Sequence, residues 1–184
     1  MSLRDDMDRG MSNVRNVHIQ HLLGLRVPGA SIARLGERQM PFGVLSIGHD
    51  DAGVWWPDDE GRPCVVVPVV ERGEVIDVVA FNSSEPHRWW WRLGNASMLG
   101  ADLLNTCFPE GGLRIVSTPL HWIAAAGEAL CVLNWSAPDT EFSPLRDWDV
   151  LHVDSPLLAE RLRKRLSRPL HVPTISLDMM EQAA

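Results

Sequence analysis

Five of the eight tryptophans, Trp55, Trp56, Trp89, Trp90 and Trp91, fall close together in the chain, with Arg88 and Arg92 flanking the last three. Indoles exposed beside guanidinium groups stack nucleobases, each stack being worth roughly 1 to 3 kcal/mol. The same residue types anchor protein partners. Burial is the third use of a tryptophan, and in an extended Trp89-Trp90-Trp91 alternation places Trp89 and Trp91 on one face and Trp90 on the other. Core packing ranks first for Trp89 and Trp91, a partner surface second and nucleic acid third. Trp90, Arg88, Arg92, Trp55 and Trp56 are therefore the candidate binding residues.

The titratable residues offer less. Asp154 precedes Ser155-Pro156 and suits either a metal ligand or a helix cap favoured by the helix dipole, with capping the more economical reading. His121 and His152 lie near strand ends; with Asp154 and the acidic turns they would make an unconventional, magnesium-dependent phosphoryl-transfer site. His18 and His21 are three apart without a third ligand at a suggestive spacing, which fits two residues of an amphipathic helix better than a metal site. His49-Asp50 has the form of an oriented imidazole. The turns holding Asp50, Asp51, Asp58, Asp59 and Glu60 lack the alternate-position spacing of a calcium loop and read as solvated. Arg161, Arg163, Lys164, Arg165 and Arg168 read as the outer face of a helix, with phosphate contact as the alternative. No phosphate-binding glycine loop or nucleophile elbow is present, so no catalytic residue is assigned and no cofactor is expected.

The elements that must carry these residues read as α+β or α/β. Residues 1–10 alternate Arg with Asp and predict a solvated, frayed tail. Val14, Val17, His18, His21, Leu22 and Leu25 recur at helical steps, giving a helix over 12–25 closed by Pro28-Gly29; a short helix over 31–38 follows. Residues 42–63 predict a hairpin around Val54-Trp55-Trp56, completing an N-terminal segment of 11–63. Cys64–Val70 and Val75–Phe81, separated by Glu71-Arg-Gly-Glu74, give the strongest hairpin signal. Arg88–Leu93 adds a third strand to an antiparallel, Trp-rich meander over 64–112, whose end carries a short helix over 96–105. Residues 113–177 then predict a small, mostly parallel sheet with flanking helices: strands at 113–116, 129–135 and 150–153, helices capped near Ser117-Thr118 and Ser155, and a last strand over 170–177. Residues 178–184 form a loose end.

Composition narrows the classes. With 45% hydrophobic residues the chain has material for a core, and its longest apolar runs are far short of the roughly 20 residues a spanning helix needs. No membrane role is expected, and the N-terminus carries no secretory pattern. Three widely spaced cysteines, Cys64, Cys107 and Cys131, fit a reducing cytoplasm better than disulfides or zinc. A net charge of −7 opposes broad electrostatic capture of nucleic acid while leaving room for a local basic face.

The hairpin Val66-Val-Pro-Val-Val-Glu-Arg-Gly-Glu-Val-Ile-Asp-Val-Val-Ala80, followed by strand, helix, strand, strand and helix, resembles the primase-type Toprim domains of phages and plasmids, in order and texture over residues 64–177. The resemblance implies a glutamate after the first core strand as general acid or base, and an Asp-x-Asp after a later strand to bind magnesium. Here Ser117-Thr118-Pro119 follows the first core strand. Asp154 matches the first aspartate, and Pro156 replaces the second. One carboxylate cannot hold a hydrated cation, orient a phosphate and exchange protons together. The resemblance thus implies a degenerate Toprim-like core in a non-catalytic accessory or interaction protein with a protein partner, linked to replication of a mobile element. A single-stranded nucleic-acid-binding module using the tryptophans and arginines, and the phosphoryl-transfer enzyme above, are the alternatives.

Overall fold

The strands Arg62–Glu71 (β3) and Glu74–Phe81 (β4) form the centre of the fold, joined by a two-residue turn in which Arg72 and Gly73 both take positive φ, 52° and 80°. That turn geometry matches the right-handed twist of the strands it connects. The computed structural model describes residues 2–38, 40–105 and 112–168. Gly43–His49 (β1), Trp55–Pro57 (β2) and Trp89–Trp91 (β5) complete an antiparallel sheet in the order β2-β1-β3-β4-β5. A second sheet holds Met98–Leu99 (β6), Leu113–Val116 (β7), Leu130–Val132 (β8) and Leu151–Val153 (β9) in the order β6-β8-β7-β9. Within it β7 runs parallel to both β8 and β9, and β6 is antiparallel to β8. The fold is α+β, an antiparallel tryptophan-rich sheet followed by a small, mostly parallel one.

The valine runs are continuous because β3 and β4 are covered on both faces. Val65, Val67, Val69, Val79 and Phe81 pack toward Leu22, Leu35, Leu120 and Trp122, in a core that also takes Leu99, Val116 and Cys131 from the second sheet. Cys64, Val66, Val78 and Ala80 face the other way, against Met7, Leu45 and Trp55. Each fully buried valine contributes on the order of 1.5 kcal/mol or more. Burial pushes the Cys64 thiol up to about 11 and raises that of Cys131 too, consistent with their packing as small apolar groups.

The N-terminus departs from its reading as a frayed tail. Leu3–Ser12 form a helix (α1) closed by a reciprocal cap: Ser2 Oγ accepts from the Asp5 N–H, and the Asp5 carboxylate accepts from the Ser2 N–H. The two serine contacts hold the exposed Asp5 carboxyl below its ordinary range. Met7 and Gly10 are buried on the sheet, and a Cβ at Gly43 would stand 2.6 Å from the Gly10 backbone, so only glycine at 43 permits this approach. The single helix expected over 12–25 accordingly starts later. Asn13 ends α1, with its amide donating to the Val44 carbonyl, and a separate helix (α2) runs Asn16–Gly24 after the Arg15 N–H donates to His18 Nδ1. Gly29–Glu37 form α3, near the expected 31–38, and the Ser31 hydroxyl donates to the Ala124 carbonyl.

In place of the helix expected over 96–105 the chain forms β6 and a 3₁₀ turn at Ala101–Asn105, because Met98 and Leu99 pair with Val132 and Cys131. The parallel unit follows its reading closely: Thr118 caps Pro119–Ala124 (α4), and Ser155 caps Pro156–Leu166, the last described helix. Between β8 and β9 the expected link contains a short helix, Asp139–Phe142 (α5), so the last one is α6. The expected strand over 170–177, the end at 178–184 and Cys107 lie outside the described residues. Among those described, no helix is long and apolar enough to cross a membrane.

Candidate functional site

Residues with chemical potential gather at the carboxyl edge of the parallel strands. Ile115 of β7 stands opposite Val153 of β9, so Ser117 and Asp154 emerge side by side just beyond the strand ends. One oxygen of Asp154, Oδ2, accepts three hydrogen bonds: from the Ser117 N–H at 2.9 Å, from Ser117 Oγ at 3.0 Å and from His121 Nδ1 at 2.7 Å. His121 reaches it from the first turn of α4, where the Thr118 cap fixes the backbone. This is no nucleophilic triad. Serine and imidazole converge on the same carboxylate oxygen through the same side of the ring, Ser117 Oγ standing 3.2 Å from His121 Nδ1, whereas a relay needs the serine on the opposite nitrogen. The capping role expected for Asp154 passes to Ser155, whose Oγ accepts from the Leu158 N–H, because Asp154 is turned toward β7.

A cleft opens beside the end of β8, between the two sheets. Its volume is about 530 Å³; His49, Asp50 and Asp51 line it from the β1–β2 turn, Arg88 and Trp89–Trp91 from β5 and its approach, Trp135 from the loop after β8, and Arg161 from α6. The aromatic walls are held in place. Trp90 stacks on His49 with ring centroids 4.4 Å apart, and Arg161 lies 4.1 Å over Trp135. Trp89 Nε1 donates to the Leu133 carbonyl and Trp91 Nε1 to that of Ala96. Partial desolvation draws Arg161 below its ordinary value, yet an arginine so placed stays charged. His49, Arg88 and Trp90 also line a neighbouring cavity with Arg62 and Glu85.

The five binding residues expected from sequence divide sharply. Trp90 and Arg88 line the cleft. Trp55 is fully buried and donates from Nε1 to the Val78 carbonyl, so it is a core residue and no stacking surface. Arg92 is likewise structural: its Nε donates to buried Asp6 at 2.9 Å, with the guanidinium over Trp55. Trp56 is 44% exposed but outside the cleft, its ring lying over Gly48. The basic face of α6 is only partly solvated. Arg165 is buried against Phe142, bonded to the Ala137 carbonyl and paired with Asp139.

His18 and His21 have separate partners, the Arg15 N–H and Ser83 Oγ, and border an apolar cavity under α2. His152 stands opposite Arg114 in the strand register, while the acidic turns belong to the other sheet. No group of three or more metal-ligating side chains forms among the described residues. The sequence pattern does not join Trp135, Arg161 or His87, which also lines the cleft, to the tryptophan cluster; the only signal is their residue type, because a contact between residues so far apart leaves no trace in local periodicity. Compared with protein-family models, curated proteins and solved structures, the chain matches none.

Proposed function

We propose that the chain is a non-catalytic accessory or interaction protein on a degenerate Toprim-like core, working in replication of a mobile element. The observation that carries this reading is the engagement of Asp154. The two positions that the resemblance pairs, Ser117 and Asp154, are hydrogen-bonded neighbours at adjacent parallel strand ends, where open α/β sheets hold their ligands. The donors there do not fit magnesium. Mg²⁺ requires near-octahedral oxygen ligands, and this edge offers one carboxylate, a neutral hydroxyl and an imidazole already bonded to one oxygen of that carboxylate. The side chains instead knit β7, α4 and β9 together, which suits a scaffold.

The test is primer synthesis and strand cleavage on single-stranded and duplex templates with magnesium, for the unmodified chain and Asp154→Ala. The expected result is no product from either. A template-dependent product that disappears in Asp154→Ala would overturn the reading.

A further inference from the structure

We infer that the cleft between the two sheets is a binding site for one nucleobase carrying a phosphate, held by Trp90, Trp135, Arg88 and Arg161. The inference goes beyond the interaction role proposed above and is independent of the chemistry at Asp154. Four indoles line the space, held by hydrogen bonds, by His49 on one face of Trp90 and by Arg161 on one face of Trp135, so the flat aromatic surface they leave to the cleft carries no ordering cost on binding. Flat surface of this kind takes an aromatic ring in offset or stacked geometry. Arg88 is exposed at the mouth and Arg161 sits on Trp135, so an anionic group attached to that ring meets two guanidinium forks, the geometry best matched to phosphate.

The carboxylates set the ligand's other requirement. Asp50 and Asp51 share the lining, and Asp50 spends Oδ1 on the Val54 N–H. A carboxylate beside a stacked ring accepts hydrogen bonds from amino and imino N–H groups, which nucleobases carry. The same carboxylates, with a net charge of −7, repel a long phosphate chain. The volume, about 530 Å³, is in the range of small-molecule sites and suits one nucleotide. Such a unit is either a free nucleotide or the terminus of a strand.

Titration of the full chain without magnesium, read by tryptophan fluorescence, tests this directly. The probes are adenosine and cytidine monophosphates, their parent nucleosides, inorganic phosphate and a short 5′-phosphorylated single-stranded oligonucleotide. With no tyrosine in the chain, the signal is tryptophan's. A monophosphate is expected to give a saturable quench, with nucleoside and inorganic phosphate each at least tenfold weaker. Arg88→Ala and Arg161→Ala should each weaken it by roughly tenfold, with Arg88→Lys recovering part of the loss. Tighter binding of the monophosphate than of the oligonucleotide identifies the free nucleotide as the source; the reverse identifies the strand terminus. Absence of a saturable quench with every probe overturns the inference. So does a quench unchanged in both alanine variants, whose fold is checked by circular dichroism. Because magnesium is left out, failure here is separate from failure of the non-catalytic reading, which only primer synthesis or cleavage would overturn.

Discussion

Asp77→Ala is expected to destabilise the protein by about 4 kcal/mol or more, a large loss for a single side chain. Asp77 is fully buried in β4, and its carboxylate accepts five backbone N–H groups. Oδ1 takes those of Val78, Arg92 and Leu93 at 2.8 to 3.0 Å, and Oδ2 takes those of Asn95 and Ala96 at 2.8 and 3.3 Å. Alanine would strand several donors in a site that water reaches poorly, each costing about 1 to 3 kcal/mol before relaxation. Asparagine keeps the shape and one acceptor but turns an amide group toward N–H donors, so about 2 kcal/mol is expected for Asp77→Asn. Urea unfolding followed by tryptophan fluorescence measures both. A loss below about 1 kcal/mol for the alanine variant would contradict this account. The effect reaches the candidate site, because the segment Asp77 holds carries β5 into β6 and so fixes the tryptophan wall.

The second large effect is expected at Arg92. Removing its guanidinium leaves Asp6 as a buried carboxylate with no cation, and breaking one side of such a pair costs about 3 to 5 kcal/mol. Arg92 is 21% exposed, which places Arg92→Met near the lower end of that range. The loss should fall well short of additive when Asp6→Leu is combined with it, since the double variant removes the stranded charge along with its partner. Additive losses in a double-mutant cycle would mean that the pair is not coupled. The fold consequence is specific: this pair, with Gly10 against Gly43, fastens α1 to the antiparallel sheet.

Local chemistry explains which parts were legible in the sequence. The β3–β4 hairpin, the alternation of Trp89, Trp90 and Trp91, and the caps of α4 and α6 follow from signals a few residues long. The first helix was misread because alternating Arg and Asp suggested solvation, although Ser2 and Asp5 stand at capping-box spacing. Asp77 also left a trace, as a carboxylate in the middle of an apolar strand, and such a charge needs buried donors. Neighbouring strand residues point to opposite faces, so Trp55 and Trp56 cannot share one surface, and the local pattern does not say which of them faces the core. The remainder depended on long-range contacts: Asp154 with Ser117 and His121, His49 with Trp90, and Arg161 with Trp135. For α6, the positive run reads as solvated in sequence because its aromatic partners lie elsewhere, Trp135 in the loop after β8 and Phe142 in α5.

Thermal unfolding with and without millimolar magnesium, for the unmodified chain and for Asp154→Ala, tests most directly whether the carboxyl edge binds the metal. A ligand that binds the folded state at concentrations well above its Kd raises the midpoint, by linkage. The account predicts the same midpoint with and without magnesium for the unmodified chain, because Ser117 and His121 already engage Oδ2 of Asp154 and no second carboxylate joins it among the described residues. A magnesium-dependent rise that vanishes in Asp154→Ala would contradict it and assign metal binding to the parallel edge.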